Sequence, residues 1–455
     1  MSGDRLACLP EGERRRTGPL LERFRRVTGR PATFVVRAPG RVNLLGEHTD
    51  YNGLPVLPMA IDRSVLTAGR PRADQEVWLF NSAPEFSPRH YRQAGSIPPG
   101  ANGDWGNYSK AAAQGLMRNC GEQLRYGADL VVHGDIPRGA GLSSSSALVV
   151  ANALALLAAN DVEMPYAALA ELLPQAEQYV GTLSGGMDQA TSLLAQAGYA
   201  LRIDFSPLRV RTVPLPGGYS VVVCHSLVPA EKSGAAREAY NLRVIECRLA
   251  CRVLERALGG SLPRPLRAFG DLSLLFPHRP LLDFLSHLAA YIPDRPLRLA
   301  EVADLIGASP ERLRSDCGVQ AALGDQFSLL RRARHVLTEA VRVEQAEDAL
   351  HAADALAFGQ LMDASHASCR DDYEISCTEL EELVKIAKEA GALGSRLTGA
   401  GFGGCTVNLV ADSVLSTFLR RVDRHFYCSR LSPAARVGDH RFVFRPQGGA
   451  VVMRL

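Results

Sequence analysis

The chain has 455 residues, which is too long for one compact hydrophobic core, so two domains are the first expectation. Hydrophobic residues make up 46% and charged residues 22%, as in ordinary water-soluble globular proteins. A net charge of +3 over this length gives no reason to expect nucleic acid or an anionic membrane as a partner.

Targeting segments and cysteine-based metal sites are not expected either. Residues 1–18 carry charges where a signal peptide needs an apolar stretch, and the longest apolar run, 147–159, is too short to cross a bilayer. The ten cysteines are scattered, with no CxxC pair. We therefore expect a reduced, cytoplasmic protein.

Predicted strands and predicted helices alternate along the N-terminal half. Residues 33–38 and 41–45 read as two short strands joined by a turn at Pro39-Gly40. Residues 128–136 alternate as a strand does, and helical patterns follow at 143–160 and 166–180.

The C-terminal half continues in the same way. Strands are expected at 199–205, 219–227 and 405–410, and helices at 237–258, 325–366 and 378–390. Residues 259–300 are rich in proline and glycine and read as a surface excursion or insert. We predict an α+β chain with a boundary near 215, giving domains 1–215 and 216–455.

The stretch GRVNLLGEHTDYNG, residues 40–53, is unusually polar for its apolar surroundings. It places an arginine, a glutamate, a histidine and an aspartate within ten positions. A hydrophobic core would exclude these side chains, and a flexible linker would not contain VNLL. The stretch is therefore either a polar tight turn or the wall of a binding site.

The serine run in GDIPRGAGLSSSSALVVANALALL, residues 134–157, is the strongest local signal. Glycine-punctuated turns lead from a strand into a helix whose first positions are serines. The first turn of a helix presents unpaired N–H groups, which attract anions, and glycines allow close backbone approach to a phosphate. The run lacks the lysine of a Walker loop and the third glycine of a Rossmann fingerprint. A simple serine cap would explain one serine but not four.

Two acidic residues and a second glycine-rich segment complete the candidate site. Glu177 lies near the end of a predicted helix, and Asp188 follows Gly185 and Gly186, which would hold it on a tight turn. Phosphoryl transfer uses a metal ligand near the phosphates and a group near the attacking hydroxyl. GSRLTGAGFGGCTVNLV, residues 394–410, leads into a strand, which favours a glycine hairpin over a dinucleotide-binding turn.

Taken together, these motifs resemble the signature sequences of a known enzyme family. GRVNLLGEHTDYN resembles the galactokinase signature, and PRGAGLSSSSA and GSRLTGAGFGGC resemble the second and third motifs of the GHMP small-molecule kinases. The resemblance runs over nearly the whole chain. It implies a two-domain α+β fold with the active site between the domains, and a monomeric kinase that phosphorylates the anomeric hydroxyl of galactose with ATP and Mg²⁺.

The resemblance also implies residue roles. Asp188 would face the anomeric hydroxyl, as general base or as electrostatic orienter, and Arg41 would pair with it. The sugar-binding set would be Arg41, Glu47, His48, Asp50, Gly185, Asp188 and Tyr240. The ATP-binding set would be Trp105, stacked on adenine, with Gly139, Gly141, Ser143, Ser144 and Ser145 around the triphosphate. Ser145 and Glu177 would hold Mg²⁺.

Two alternatives stay open. AEQYVGTLSGGMDQATS, NLRVIECRLA and SHASCRDDYE look like the N-acetylgalactosamine kinase branch, whereas Thr49 matches the ordinary galactokinase signature in place of that branch's isoleucine. A non-catalytic sensor of galactose and ATP is the other alternative, but GLSSSSA is full length here and both Arg41 and Asp188 are present. Kinases for mevalonate or homoserine would lack GEHTDYN.

Overall fold

The computed structural model describes residues 11–230, 234–320, 324–432 and 435–455, without the side chains of residues 234 and 235. The strands are β1 (Phe34–Leu45), β2 (Leu57–Pro71), β3 (Glu76–Asn81), β4 (Arg89–Arg92), β5 (Ala128–Gly134), β6 (Tyr199–Phe205), β7 (Leu208–Pro214), β8 (Tyr219–His225), β9 (Gly394–Thr398), β10 (Cys405–Ala411), β11 (Arg441–Phe444) and β12 (Val451–Arg454). The mixture of helices and strands confirms the α+β class.

The helices alternate with these strands in the N-terminal half and dominate the middle of the chain. They are α1 (Glu11–Thr28), α2 (Gly106–Cys120), α3 (Ser144–Ala159), α4 (Tyr166–Glu177), α5 (Met187–Leu194), α6 (Gly234–Leu258), α7 (Asp271–Leu275), α8 (Leu281–Ala289), α9 (Leu299–Ile306), α10 (Pro310–Cys317), α11 (Leu329–His351), α12 (Ala355–Asp371), α13 (Thr378–Glu389) and α14 (Leu415–Val422). Within the described ranges, no helix has both the length and the apolar content that a membrane crossing requires.

The predicted turn at Pro39-Gly40 is wrong. Strand β1 continues through it and pairs with β2 on both sides, with a register shift between Pro39 and Arg41. A Cβ on Gly40 would lie 2.7 Å from the carbonyl oxygen of Leu142, so the glycine allows a close backbone approach and not a chain reversal. The bulge re-aims the strand at the point where Arg41 begins the polar stretch.

A six-stranded sheet in the order β12-β1-β2-β5-β3-β4 forms the centre of the N-terminal half. Strand β1 is buried along its whole length, because helix α1 packs on one face of the sheet and helix α3 lies on the other. Helix α3 is apolar almost all round, as a helix covered on every side must be. This packing fixes the start of α3 beside the bulge in β1.

A four-stranded sheet in the order β11-β8-β10-β9 forms the centre of the C-terminal half. Strands β9 and β10 pair antiparallel, which confirms the predicted glycine hairpin. The last strand, β12, returns to the first sheet and pairs antiparallel with β1. The boundary near residue 215 stays a prediction.

The expected surface excursion at 259–300 is instead a packed helical segment. Helices α7 and α8 and the start of α9 lie in it, and Phe269 and Phe284 are fully buried in a core shared with α6 and α11. The prolines and glycines separate short helices and do not prevent packing, which composition alone does not reveal.

Candidate active site

An ion pair between Arg41 and Asp188 lies at the centre of the site. The Arg41 Nε and Nη2 atoms lie 2.8 and 2.7 Å from Asp188 Oδ1, and both residues are buried. The third nitrogen, Nη1, donates to the carbonyl oxygen of Gly141 at 2.6 Å. Arg41 therefore connects the carboxylate to the serine motif, and its charge compensates for the burial of Asp188.

Asp188 does not lie on a tight turn, which is what the two glycines before it predict. Gly186 occupies the cap position of helix α5, and Asp188 lies in the first turn of that helix. An acidic side chain is favoured there by the partial positive charge of the helix N-terminus. Helix α5 packs on β1 and α3, so Asp188 stands on rigid structure.

Ser146 is a site residue that sequence reasoning missed. Its hydroxyl lies 2.8 Å from Glu177 Oε2 and 3.3 Å from Asp188 Oδ2, so it stands between the two acidic residues. Gln189 also donates to Glu177, which is only 1% exposed. The four serines gave no sequence signal for which of them faces the carboxylates.

The structure brings the polar stretch of residues 46–53 into a small pocket. We call it the carboxylate pocket, and its walls include Arg41, Glu47, His48, Asp50, Gly185, Asp188 and Tyr240. All seven residues of the predicted sugar-binding set therefore lie together. The stretch is a pocket wall and not an isolated polar turn.

Asp50 and Gly185 fit each other closely. The Asp50 carboxylate accepts a hydrogen bond from the Met187 amide at 3.3 Å, and a Cβ on Gly185 would come within 2.3 Å of Asp50 Oδ2. Burial, with Asp188 nearby as a second cause, raises the pKa of Asp50 to about 6. Only glycine at position 185 leaves room for this carboxylate.

His48 has both ring nitrogens paired within the protein. Nε2 lies 3.1 Å from the carbonyl oxygen of Ala400, and Nδ1 lies 2.7 Å from the Tyr51 hydroxyl. Because a carbonyl can only accept, the hydrogen of the neutral ring is on Nε2. Burial lowers the pKa of His48 to about 3, so the ring is uncharged at neutral pH. The sugar contact expected of His48 stays a prediction.

A cleft of about 380 Å³ opens beside the carboxylate pocket. We call it the serine cleft, and it is lined by residues that include Arg41, Arg138, Gly139, Gly141, Ser143, Ser144 and Ser145. Gly139, Gly141 and Ser143 all have left-handed backbone, with φ of 66°, 73° and 59°. The Ser143 hydroxyl is buried and has no hydrogen-bond partner in the described part of the chain.

Arg138 adds a cation to the serine cleft that sequence reasoning overlooked, although it lies inside the quoted motif. It pairs with Glu85 at 2.6 Å and is largely exposed. Trp105 does not line this cleft but a neighbouring cavity of about 790 Å³, which shares Tyr108, Ser144 and Ser145 with it. Trp105 donates from Nε1 to the Ser87 carbonyl at 3.1 Å and packs against Phe86.

The structure only partly brings together Ser145 and Glu177, the two predicted Mg²⁺ ligands. Ser145 lines the serine cleft, whereas the hydroxyl bonded to Glu177 is that of Ser146. The described residues contain no cluster of three or more histidine, cysteine or acidic side chains of the kind that holds a metal ion by protein ligands alone.

Comparison with known proteins decides the family. Residues 22–71 match the galactokinase galactose-binding signature, residues 107–196 the GHMP kinase N-terminal domain and residues 346–428 the GHMP kinase C-terminal domain. A galactokinase of Dictyostelium discoideum is 36% identical, over 93% of this chain and 90% of its own length. The chain belongs to the galactokinase family.

Other members and solved structures agree. A galactokinase of Roseiflexus is 40% identical, over 88% of this chain and 90% of its own length. The crystal structure of Lactococcus lactis galactokinase complexed with galactose superposes with a TM-score of 0.75 and 28% identity, covering 96% of this chain and 99% of that one. A mevalonate kinase shares the fold at a TM-score of 0.56 and 16% identity, covering 91% and 99% of the two chains. The fold is that of the two-domain GHMP kinases.

Proposed function

We propose that this protein transfers the γ-phosphoryl group of ATP to the anomeric hydroxyl of galactose, giving galactose 1-phosphate and ADP. The observation that carries the proposal is the position of the Arg41–Asp188 ion pair. Arg41 lines both the serine cleft and the carboxylate pocket, and Asp188 lines the carboxylate pocket. A phosphate bound in the serine cleft and a hydroxyl bound in the carboxylate pocket would meet at this ion pair.

The proposed reaction needs little covalent help from the protein. The anomeric oxygen attacks the γ-phosphorus, the bond from that phosphorus to the β,γ-bridging oxygen breaks, and the hydroxyl proton passes to Asp188 or to water. Because the transition state of phosphoryl transfer is loose, orientation and charge stabilisation supply most of the catalysis. In this proposal Asp188 orients the hydroxyl as base or hydrogen-bond acceptor, and Arg41 stabilises the charge on the transferring group.

The triphosphate is proposed to lie in the serine cleft. Gly139 and Gly141 would allow its close approach, and the hydroxyls and backbone N–H groups of Ser143, Ser144 and Ser145 would bind it. Adenine would occupy the cavity beside Trp105. None of the four lysines lies in these motifs, and the cations among the described residues that line the cleft are Arg41 and Arg138.

Mg²⁺ is the proposed metal, with Ser145 and Glu177 as its protein ligands. Both supply hard oxygen donors, and Glu177 is a buried carboxylate directed towards the end of helix α3 where the serine cleft begins. When bound, the ion would neutralise charge on the β- and γ-phosphates.

Galactose is proposed to bind in the carboxylate pocket. Glu47 and Asp50 would accept hydrogen bonds from sugar hydroxyls, with His48, Gly185 and Tyr240 completing the walls. A carboxylate that accepts from a hydroxyl distinguishes its axial from its equatorial position, because the wrong epimer leaves a buried acceptor unpaired. We also propose that the protein is a cytoplasmic monomer with domains 1–215 and 216–455.

Comparing kcat/KM for galactose with kcat/KM for N-acetylgalactosamine, under saturating ATP, tests the proposal. We expect galactose to be the better substrate, since the curated relatives above are galactokinases. A preference for N-acetylgalactosamine would instead support that branch of the family. Binding of both ligands without turnover would support the sensor alternative.

A further inference from the structure

The backbone turn that carries Glu47 and His48 is held by side chains from the C-terminal half of the chain. Arg396, on strand β9, is fully buried, with 0% of its surface exposed. Its Nη2 donates to Glu47 Oε2 at 2.9 Å. Its Nη1 lies 3.3 Å from the carbonyl oxygens of both Asn43 and Leu44, at the end of β1.

Helix α11 holds the same turn from a second side. The Glu339 Oε1 atom accepts from the amides of Gly46 at 2.9 Å and Glu47 at 3.3 Å. The other oxygen, Oε2, accepts from Arg342 Nε at 2.7 Å, so the carboxylate is charge-paired. One turn earlier on the helix, His335 Nε2 donates to the Glu47 carbonyl oxygen at 3.0 Å.

These contacts hold both the backbone and the side chain of Glu47 in place. Its amide, its carbonyl and one carboxylate oxygen are each bonded to a residue that lies far away in sequence. Glu47 is 1% exposed, and such a carboxylate needs a partner cation to remain ionised in the protein interior. Arg396 provides the direct contact with that carboxylate.

We propose that Arg396 is a positioning residue for the sugar, which sets the orientation and charge of Glu47 in the carboxylate pocket. Because Glu47 Oε2 is bonded to the Arg396 guanidinium, the Glu47 carboxylate is held in one rotational position. In that position its other lone pairs are directed at the sugar. Arg396 touches no reacting group and acts through Glu47. This inference rests on the proposed binding of galactose in that pocket.

A double-mutant cycle on galactose affinity tests the inference. Arg396→Met should weaken galactose binding about tenfold, because a charged hydrogen bond that orders the acceptor is lost, and should leave the KM for ATP unchanged. Glu47→Gln should weaken it similarly. The double variant should bind galactose no worse than Glu47→Gln alone, since the proposal assigns the effect of Arg396 on the sugar to its contact with the Glu47 carboxylate and not to its backbone contacts.

A purely structural role for Arg396 predicts a different pattern. The losses of galactose affinity in the two single variants would then multiply in the double variant. Alternatively, kcat would fall in proportion to the folded fraction of the protein, while the KM values for galactose and ATP stay unchanged. Either result would overturn the inference. The matched control is Arg295→Met, which breaks an Arg–Glu pair of 2.7 Å at the surface and should change neither KM.

The test does not depend on Arg396→Met folding by itself. The double variant buries no unpaired charge, whereas Glu47→Gln alone leaves the Arg396 guanidinium without its carboxylate, so galactose affinity is compared after the folded fraction of each variant has been measured by urea unfolding. Arg396→Lys keeps the positive charge while losing the forked contacts. Equal galactose affinity in Glu47→Gln and the double variant supports the inference, and a further tenfold loss contradicts it. If the wild-type enzyme does not turn over galactose, the proposed function fails and not the positioning role alone.

Discussion

Gly141 and Gly399 lie backbone against backbone. A Cβ on Gly399 would stand 2.8 Å from the Gly141 carbonyl oxygen, and a Cβ on Gly141 would stand 3.0 Å from the carbonyl oxygen of Thr398. The same Gly141 carbonyl accepts from Arg41. The glycine hairpin of the C-terminal half therefore supports the wall of the serine cleft, in addition to any contact it makes with a ligand.

Gly399→Ala should impair both stability and nucleotide binding. Gly399 has φ of 89°, where a side chain is strained, and its Cβ would displace Gly141. We expect a loss of about 1–3 kcal/mol in the free energy of unfolding and a raised KM for ATP. Urea unfolding and steady-state kinetics measure both. Gly438→Ala, where a Cβ meets nothing within 4 Å, is the control and should change neither.

Asp188→Asn should separate binding from turnover. The amide occupies the same space and still meets Ser146, but it cannot take a proton and is no longer an anionic partner for Arg41. We expect kcat to fall by about two orders of magnitude or more, with galactose and ATP affinity retained within a few-fold. Near-normal kcat would refute the role assigned to Asp188. Asp161→Asn, at an exposed position just after helix α3, is the matched control.

Galactose affinity should depend on pH through Asp50. Its pKa is raised to about 6, so the carboxylate is ionised at neutral pH and becomes protonated as pH falls through that value. Since the ionised form accepts hydroxyl hydrogen bonds, the KM for galactose should rise between pH 7 and 5.5, while the KM for ATP stays level. In Asp50→Asn the galactose KM should be high at both pH values. A flat profile in the wild-type protein would contradict this assignment.

Acid should destabilise the fold through two buried histidines. Burial lowers the pKa of His48 to about 3 and that of His335 to about 4. The unfolded chain therefore takes up protons near pH 6.5 that the folded protein does not, and the free energy of unfolding should decrease as pH falls below 6.5. Asp50 opposes this trend in part, because its raised pKa lets the folded protein take up a proton before the unfolded chain does, which increases the free energy of unfolding as pH falls. Urea unfolding at pH 7.5 and 5.5 measures the change, which should be smaller in His335→Gln.

Sequence patterns predicted the local elements well. The helix behind the serines and the hairpin after Gly399 both appear, because each has strong periodicity or glycine punctuation nearby. The sequence predicts a tight turn at Asp188 because helix α5 has only eight residues, too few to show a clear pattern after two glycines. Pro39-Gly40 resembles a turn locally, and only the strand pairing with β2 keeps the chain extended there.

Contacts between distant residues explain what the sequence did not predict. Arg396 stands within a strand-like run, where nothing marks it as the partner of Glu47, 349 positions away. The sequence does not distinguish Ser146 from Ser145. Helix α3 points the side chain of Ser146 at Glu177, and that direction is known only from the structure. The pairing of β12 with β1 leaves no trace in composition, since neither strand alone specifies its neighbour.

The position of β12 has a consequence for synthesis. The ribosome delivers β1 long before β12, so the outer edge of β1 has no neighbour until β12 has been synthesised. Exposed strand edges pair readily with other chains. A variant that lacks Val451–Arg454 would therefore leave the outer edge of β1 unpaired and open to pairing with another chain, although all the proposed catalytic residues would still be present.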